Sequence, residues 1–195
     1  MKNKTIKRDT YHHGNLPEVL VNEGSKLLAE KGIDGFSMRE VARRAGVAVA
    51  APSHHFGNSK GLFTAIAANG FSKLAKHMEL AAEPSRDPED RVVAMCQAYR
   101  AMGMSDPGYA SIMFRTELLD ESDQDFRERA SHAFGLFEKA LRQAAPQSAD
   151  TAQISNSATT LWATMHGLTD LKMISDQEAV ELIQFAVRTL LAGLR

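Results

Sequence analysis

Apolar residues recur at intervals of three and four along almost the whole chain. No segment alternates them one-for-one with polar residues, as a half-buried strand requires. That pattern leaves helix-on-helix architectures. A stripe of Leu16, Val19, Leu20, Leu27 and Leu28 marks a first helix. Asn15 is its expected cap, Pro17 sits in its first turn, Glu18 supplies the negative charge a helix N-terminus favours, and Gly32 ends it. Gly24 in its interior costs about 1 kcal/mol relative to alanine, which points to close helix contact there. Ser37-Met38-Arg39-Glu40 reads as a capping box, with Phe36 and Val41 placed as a hydrophobic staple. It opens a short helix, Met38 to Ala45, which Gly46 stops. A second short helix, Ala48 to Phe56, follows, and Asn58 caps a longer one that carries Leu62, Phe63, Ile66, Phe71, Leu74 and Met78. Beyond the Pro84–Pro88 loop, long amphipathic helices are expected over 88–103, 107–120, 123–145, 148–175 and 177–194. The expected fold is all-α, about nine helices in all.

Composition narrows the functional classes. A chain of 195 residues, 44% of them apolar, can bury a core without staples. The single cysteine, Cys96, excludes an intramolecular disulfide and a cysteine-rich zinc module; its place on an apolar stripe suits a buried thiol. Met1 to Asn15 is polar and basic, and the longest run without a charged residue, Thr151 to Thr169, is rich in Ser, Thr, Asn and Gln. Neither resembles a signal peptide or a membrane span, so a cytoplasmic protein without membrane partners is expected. The net charge of -1 hides an asymmetry. Residues 1–78 carry 12 Lys and Arg against 6 Asp and Glu; residues 79–195 carry 11 against 18. A basic head on an acidic body suits a head that meets a polyanion. Lys2, Lys4, Lys7 and Arg8 read as a basic arm in front of it.

Ser37 to Phe56 has helix-turn-helix spacing. Gly46 serves the tight turn, Ala42 and Ala45 allow close approach, and Val41 and Val47 anchor the pair to a core. In such a unit the second helix enters the major groove of DNA while the first spans the backbone. Short helical hairpins also occur as plain core structure; the basic arm and Arg39, Arg43 and Arg44 favour DNA.

The segment YHHGNL followed by GFSMREVARRAGVAVAAPSHHFGNSKGLF resembles the DNA-binding region of TetR/AcrR-type transcriptional regulators over Tyr11 to about Met78. Tyr99 to Arg115 and LWATMHGL, Leu161 to Leu168, resemble one C-terminal subgroup marked by a Trp-His-Gly signature, here Trp162, His166 and Gly167. The resemblance implies 1–60 as arm and helix-turn-helix domain, 61–83 as connecting helix, and 84–195 as a ligand-binding and dimerisation domain. It implies a reading helix at Ala48 to His55, with Ala48 at its DNA-binding start and Val49 and Ala50 facing bases. Ser53, His54 and His55 then reach phosphates or base edges, and Arg39 and Lys60 add contacts. It also implies a homodimer through the last two long helices, with Trp162, Ile183, Val187 and Leu190 as interface residues, so that a charge at Ile183 or Leu190 should give monomers. An apolar effector pocket would draw on Met102, Met113, Phe114, Phe134, Phe137, Trp162 and His166. The chain departs from the family's commonest pattern at Ala48, Ser53 and Ser59, where Ser or Thr, Tyr, and Lys are usual.

Several residues keep two readings. Lys60 either binds phosphate at its helix N-terminus or is simply solvated. Trp162 and His166, one turn apart, either line a pocket or pack in the core. Arg100 and Arg115 either meet an anionic ligand group or form internal ion pairs. His54 and His55, adjacent on a helix, point about 100° apart and make a poor chelate; no metal or cofactor is expected. No GxSxG, P-loop, dinucleotide fingerprint or HExxH motif is present, so an enzyme is not expected. The expected function is a DNA-binding regulator, a ligand-released repressor; the alternative is an all-α ligand-binding protein or enzyme without DNA binding.

Overall fold

The computed structural model describes residues 15–171 and 174–194. The basic arm, Tyr11, His12 and His13 lie outside them. Among the described residues there are nine α-helices and one short 3-10 turn, and no strand. The first four helices are α1 (Leu16–Lys31), α2 (Met38–Arg44), α3 (Ala51–Phe56) and α4 (Ser59–Ala82). They are followed by α5 (Pro88–Ser105), α6 (Pro107–Met113), α7 (Gln124–Ala144), α8 (Thr151–Asp170) and α9 (Asp176–Gly193).

The turn between α2 and α3 is built as its glycine suggested. Gly46 has φ 68°, the Val47 N–H bonds the Ala42 carbonyl at 3.0 Å, and the Gly46 N–H bonds that of Arg43 at 3.2 Å. These two bonds form a Schellman motif, which an L-residue at 46 would strain. Two N-terminal expectations fail. The side chain of Asn15 caps no backbone N–H; its amide donates to Glu18. Ser37 is extended at the start of α2, yet neither half of the capping box forms. Glu40 instead accepts from Arg43 (two bonds of 2.8 Å) and Arg44 (3.1 Å), which follow it by about one turn of its own helix. Phe36 packs on the ring of Phe63, centroids 4.6 Å apart. Asn58 caps as expected, accepting from the Gly61 N–H at 3.1 Å.

A further difference lies at 107–120. Helix α6 stops at Met113, and a 3-10 turn, Thr116–Leu118, redirects the chain so that Leu119 enters the core. The last two helices begin with complete capping boxes, Asp150 with Gln153 and Ser175 with Glu178.

One continuous apolar core runs through the molecule, and α4 is its axle. Its Leu62 and Ile66 are buried with Leu20, Leu27 and Val41 of the head; its Leu74 and Met78 are buried with Val92 and Phe137 of the body. The expected closeness at Gly24 is present, since a Cβ there would lie 2.8 Å from Cδ1 of Ile66. Helices α1 and α6 form a second bridge between the two halves. Tyr109 Oη donates to Asn22 Oδ1 at 2.8 Å, and Lys73 Nζ lies 2.7 Å from Asp106 and 4.5 Å from the centre of the Tyr109 ring. Gly108 lets the backbones meet: a Cβ there would fall 1.9 Å from the carbonyl oxygen of Ser25. Gly108→Ala must therefore push α6 off α1. The expected cost is about 1–3 kcal/mol, read as a fall in Tm of about 2–12 °C.

Candidate nucleic-acid interface and effector groove

All eight residues expected to meet DNA are at least partly exposed: Arg39, Ala48, Val49, Ala50, Ser53, His54, His55 and Lys60. Their setting differs from expectation at one end. Helix α3 begins at Ala51, so Ala48, Val49 and Ala50 form the turn that leads into it, closed by an Ala51 N–H to Ala48 carbonyl bond of 2.9 Å. Pro52 explains the late start. A helix beginning at Ala48 needs an N–H from residue 52 to reach the Ala48 carbonyl, and proline has none. Val49 is left 61% exposed, an apolar side chain presented to solvent at the leading tip of the helix. That chemistry suits a thymine methyl.

The arginines of α2 divide by partner. Arg44 forks onto Glu30 of α1 at 2.6 and 2.9 Å and also bonds Glu40, so it clamps α1 to α2. Arg43 is bound by Glu40. Arg39 has no ion-pair partner among the described residues. Sequence spacing alone did not separate the structural arginines from the free one; the acid four residues before Arg44 was the available signal.

Hydrogen bonds from Arg43 and Arg44 hold the Glu40 carboxyl down from the ordinary 4.5 to about 2, and Arg44 lowers that of Glu30. Both groups ionise more readily in the folded head than in the open chain. The Glu40 contribution to stability is complete above pH 4.5 and drains away as pH falls from there through about 2, and that of Glu30 is lost in the same direction. Glu40→Gln should accordingly flatten the acid limb of Tm against pH in that window and leave the neutral region's slope unchanged.

Lys60, exposed in the first turn of α4, lies close enough to Asp120 to favour its charged form. The larger cause of that lowered pKa is hydrogen bonding from Ser122. The Asp120 N–H also donates to Thr64 Oγ1 at 2.9 Å, which ties this end of α4 to the loop before α7.

The aromatic residues expected to bind an effector form one connected cluster that opens on one side. The Trp162 ring is edge-on to Tyr99 (5.1 Å), Phe134 (5.5 Å), Phe137 (5.9 Å) and Phe114 (6.5 Å). Phe114 and His166, their rings 4.6 Å apart, also stand on the wall of an open groove of about 830 Å³. Met102 and Met113 lie beneath it, beside a small void of about 30 Å³. The groove separates the body from the α1–α2 turn, whose Gly32, Ile33 and Asp34 form its opposite lip. Sequence reasoning did not find Asp34 or Asp170 as groove residues, nor Tyr99 beside the small void. The signal for Asp170 was its place four residues after His166; Asp34 is joined to the groove only by folding. Tyr99 Oη lies 3.4 Å from His166 Nδ1, and burial pushes its hydroxyl pKa up. Arg100 and Arg115 take the internal-pair reading, Arg100 with Asp176 at 2.7 Å and Arg115 with Glu117 at 3.5 Å. Cys96 is buried, and that burial pushes its thiol pKa up. Among the described residues no cluster of three or more His, Cys, Asp or Glu is arranged for a metal, and His54 and His55 have ring centres 5.5 Å apart. No described helix is long and apolar enough to cross a membrane.

Two of the expected interface residues need correcting. Ile183 and Val187 are buried in the protomer's own core and offer no face to a second copy. Leu190 and Trp162 are half-buried and keep part of their surface outside. The apolar side chains that α9 leaves outside are Leu182, 41% exposed, and Phe185, 68% exposed.

A small head with an exposed helix-turn-helix, joined by one long helix to a larger helical body, defines a two-domain DNA-binding transcription regulator. Residues 20–66 match the tetR family of bacterial regulatory proteins, and residues 92–190 match the tetracyclin repressor-like C-terminal domain. The chain belongs to the tetR family. No curated protein matches it. Among solved structures it is similar to a protein of unknown function from Rhodococcus sp. RHA1, 28% identical over 95% of this chain and 98% of that one, TM-score 0.78. The fold is also that of the regulator PfmR from Thermus thermophilus (19% identity, 90% and 98% covered, TM-score 0.66). It is shared with the regulator FadR from Bacillus subtilis, solved with stearoyl-CoA (15% identity, 91% and 99% covered, TM-score 0.66).

Proposed function

We propose that this chain is a cytoplasmic, non-enzymatic repressor that binds a roughly palindromic operator as a homodimer and lets go when a small molecule occupies the body. The observation that carries this reading is the set of eight accessible residues on the head, with Arg39 lacking an ion-pair partner among the described residues while its neighbours are paired. In this reading residues 1–60 are arm and head, 61–83 the connecting helix and 84–195 the ligand-binding and dimerisation domain. Trp162, His166 and Gly167 support membership of the Trp-His-Gly subgroup. Two heads related by a dyad enter successive major grooves, which requires a palindromic site. The dimer forms through the outward faces of α8 and α9, with Leu182 and Phe185 as its apolar centre rather than Ile183 and Val187.

Helix α4 runs unbroken, with no proline, from the head core into the body core. Any tilt imposed at Leu74 or Met78 therefore reaches Leu62, and with it the spacing of the two heads. A ligand releases DNA only insofar as it prefers the spacing that does not fit DNA.

The test is retention of genomic duplex fragments by the full-length protein across salt concentrations. Binding should be saturable, and log K should fall linearly with log salt at roughly 0.9 per phosphate neutralised. Absence of saturable duplex binding even at about 50 mM salt would overturn the reading in favour of a ligand-binding protein or enzyme that ignores DNA.

A further inference from the structure

We infer that the head reads its operator through the C5-methyl group of thymine, with Val49 as the specificity-determining residue. This deepens the proposed function and rests on its statement that the head binds duplex DNA. The segment from Gly46 to Gly57 contains no Lys, Arg, Asn, Gln, Asp or Glu. In the major groove, arginine and lysine read guanine O6 and N7, asparagine and glutamine read adenine N6 and N7, and carboxylates read cytosine N4. The turn and helix that would enter the groove carry none of these readers. Ser53, His54 and His55 are exposed and polar, yet a hydroxyl or an imidazole offers a base edge one hydrogen bond at a time, not a bidentate pair. The label left to this segment is the thymine methyl, which is read by apolar contact.

The structure builds that contact on a fixed support. Val47, before the exposed stretch, packs against the core, and Pro52, after it, is buried. Between these two anchors Ala48, Val49 and Ala50 all face solvent. The Ala51 N–H to Ala48 carbonyl bond and the His54 N–H to Ala50 carbonyl bond, each 2.9 Å, hold the backbone there. Val49 alone of the three carries more than a single methyl, and its β-branch restricts it at χ1. Two methyl groups are therefore presented outward at a set position, with little side-chain freedom to lose on contact.

Packing of the protomer does not account for Val49, which lies outside the core and is 61% exposed. One exposed valine is ordinary on a protein surface. This one is the middle of an uncharged, apolar stretch in a head where Lys and Arg outnumber Asp and Glu, and where Arg39 and Lys60 are exposed nearby in the chain. That division of labour suits duplex DNA, with cations on the phosphates and the uncharged centre on base edges.

The experiment takes the full-length protein and a genomic duplex fragment that it retains, amplified once with thymidine triphosphate and once with deoxyuridine triphosphate. The two duplexes pair alike and differ in the C5-methyl groups. Deoxyuridine should weaken binding by about tenfold or more, since a methyl contact is lost in each protomer. Single-site replacement should trace the loss to thymines related by the operator's dyad. Val49→Ala draws the contact back from the groove. It should weaken the thymine duplex by a similar factor and bind the two duplexes within about threefold of each other. Its Tm should stay near wild type because the side chain is exposed. Equal binding of both duplexes by wild type, or a deoxyuridine loss undiminished in Val49→Ala, would overturn the proposal and leave DNA binding intact. Failure to retain any duplex in either form removes the regulator reading itself, and this inference with it.

Discussion

Arg39→Asp should cost the dimer about 2–6 kcal/mol of operator affinity, counting a contact of about 1–3 kcal/mol once in each protomer. Three arginines crowd the seven residues of α2, and a basic helix of that kind suggests three phosphate ligands. Geometry leaves one. Arg44 is committed to Glu30 and Glu40, and Arg43 to Glu40, so each of these charges is already matched by a carboxylate of the head. Arg39 extends from the exposed first turn with no such partner among the described residues, and reversing its sign replaces attraction to a phosphate with repulsion. Lys60→Glu should behave similarly. For either variant the slope of log K against log salt should fall by roughly two, one phosphate per protomer. Dimerisation and Tm should stay near wild type, because neither side chain holds part of the fold. Quantitative retention of an operator fragment at several salt concentrations decides the matter. Unchanged affinity and slope in both variants would remove Arg39 and Lys60 from the interface.

The contrast among these arginines shows how far the sequence is legible and where it stops. The helix-turn-helix could be read because its requirements are local: Gly46 at positive φ, small residues at 42 and 45, an asparagine at 58 that caps. The capping box at Ser37–Glu40 satisfied the same spacing rule and does not form, whereas Ser175–Glu178, with the identical first and last residues, does. The difference lies one turn further on. Glu40 is followed at three and four residues by Arg43 and Arg44, which hold its carboxylate; Glu178 is followed there by Glu181 and Leu182, which leave it free to turn back. A cap motif therefore has to be read together with the charges downstream.

Elements that depend on tertiary contact were less legible. The break after Met113 has no proline or glycine to announce it; it follows from Leu119 entering the core. The groove joins Asp34 to Asp170 across most of the chain, and no spacing rule spans that distance. Periodicity says which residues share a face and not what covers it: Ala179, Ile183, Val187 and Leu191 line the buried face of α9 and are consumed by the protomer itself.

The face of α9 that remains leads to a prediction separating two kinds of apolar residue on one helix. Leu182→Glu with Phe185→Glu should convert the protein to monomers at concentrations where wild type is dimeric, without lowering its Tm in proportion. An apolar centre of an interface is worth about 2 kcal/mol or more per anchoring residue, and a two-fold axis counts each substitution twice. The dissociation constant should rise by about a hundred-thousandfold or more, since each 1.4 kcal/mol is about tenfold. Operator binding falls with it, because a monomer presents a single head to a two-headed site. Ile183→Glu should fail differently. Its side chain is inside the protomer, so the charge is buried without a partner at a cost of about 3–5 kcal/mol, a fall in Tm of about 6–20 °C. Sedimentation and thermal melts on the two variants, run side by side, distinguish the outcomes. If the Leu182 and Phe185 variant remains dimeric while the Ile183 variant becomes a well-folded monomer, the outward face of α9 is free and the protomers meet elsewhere.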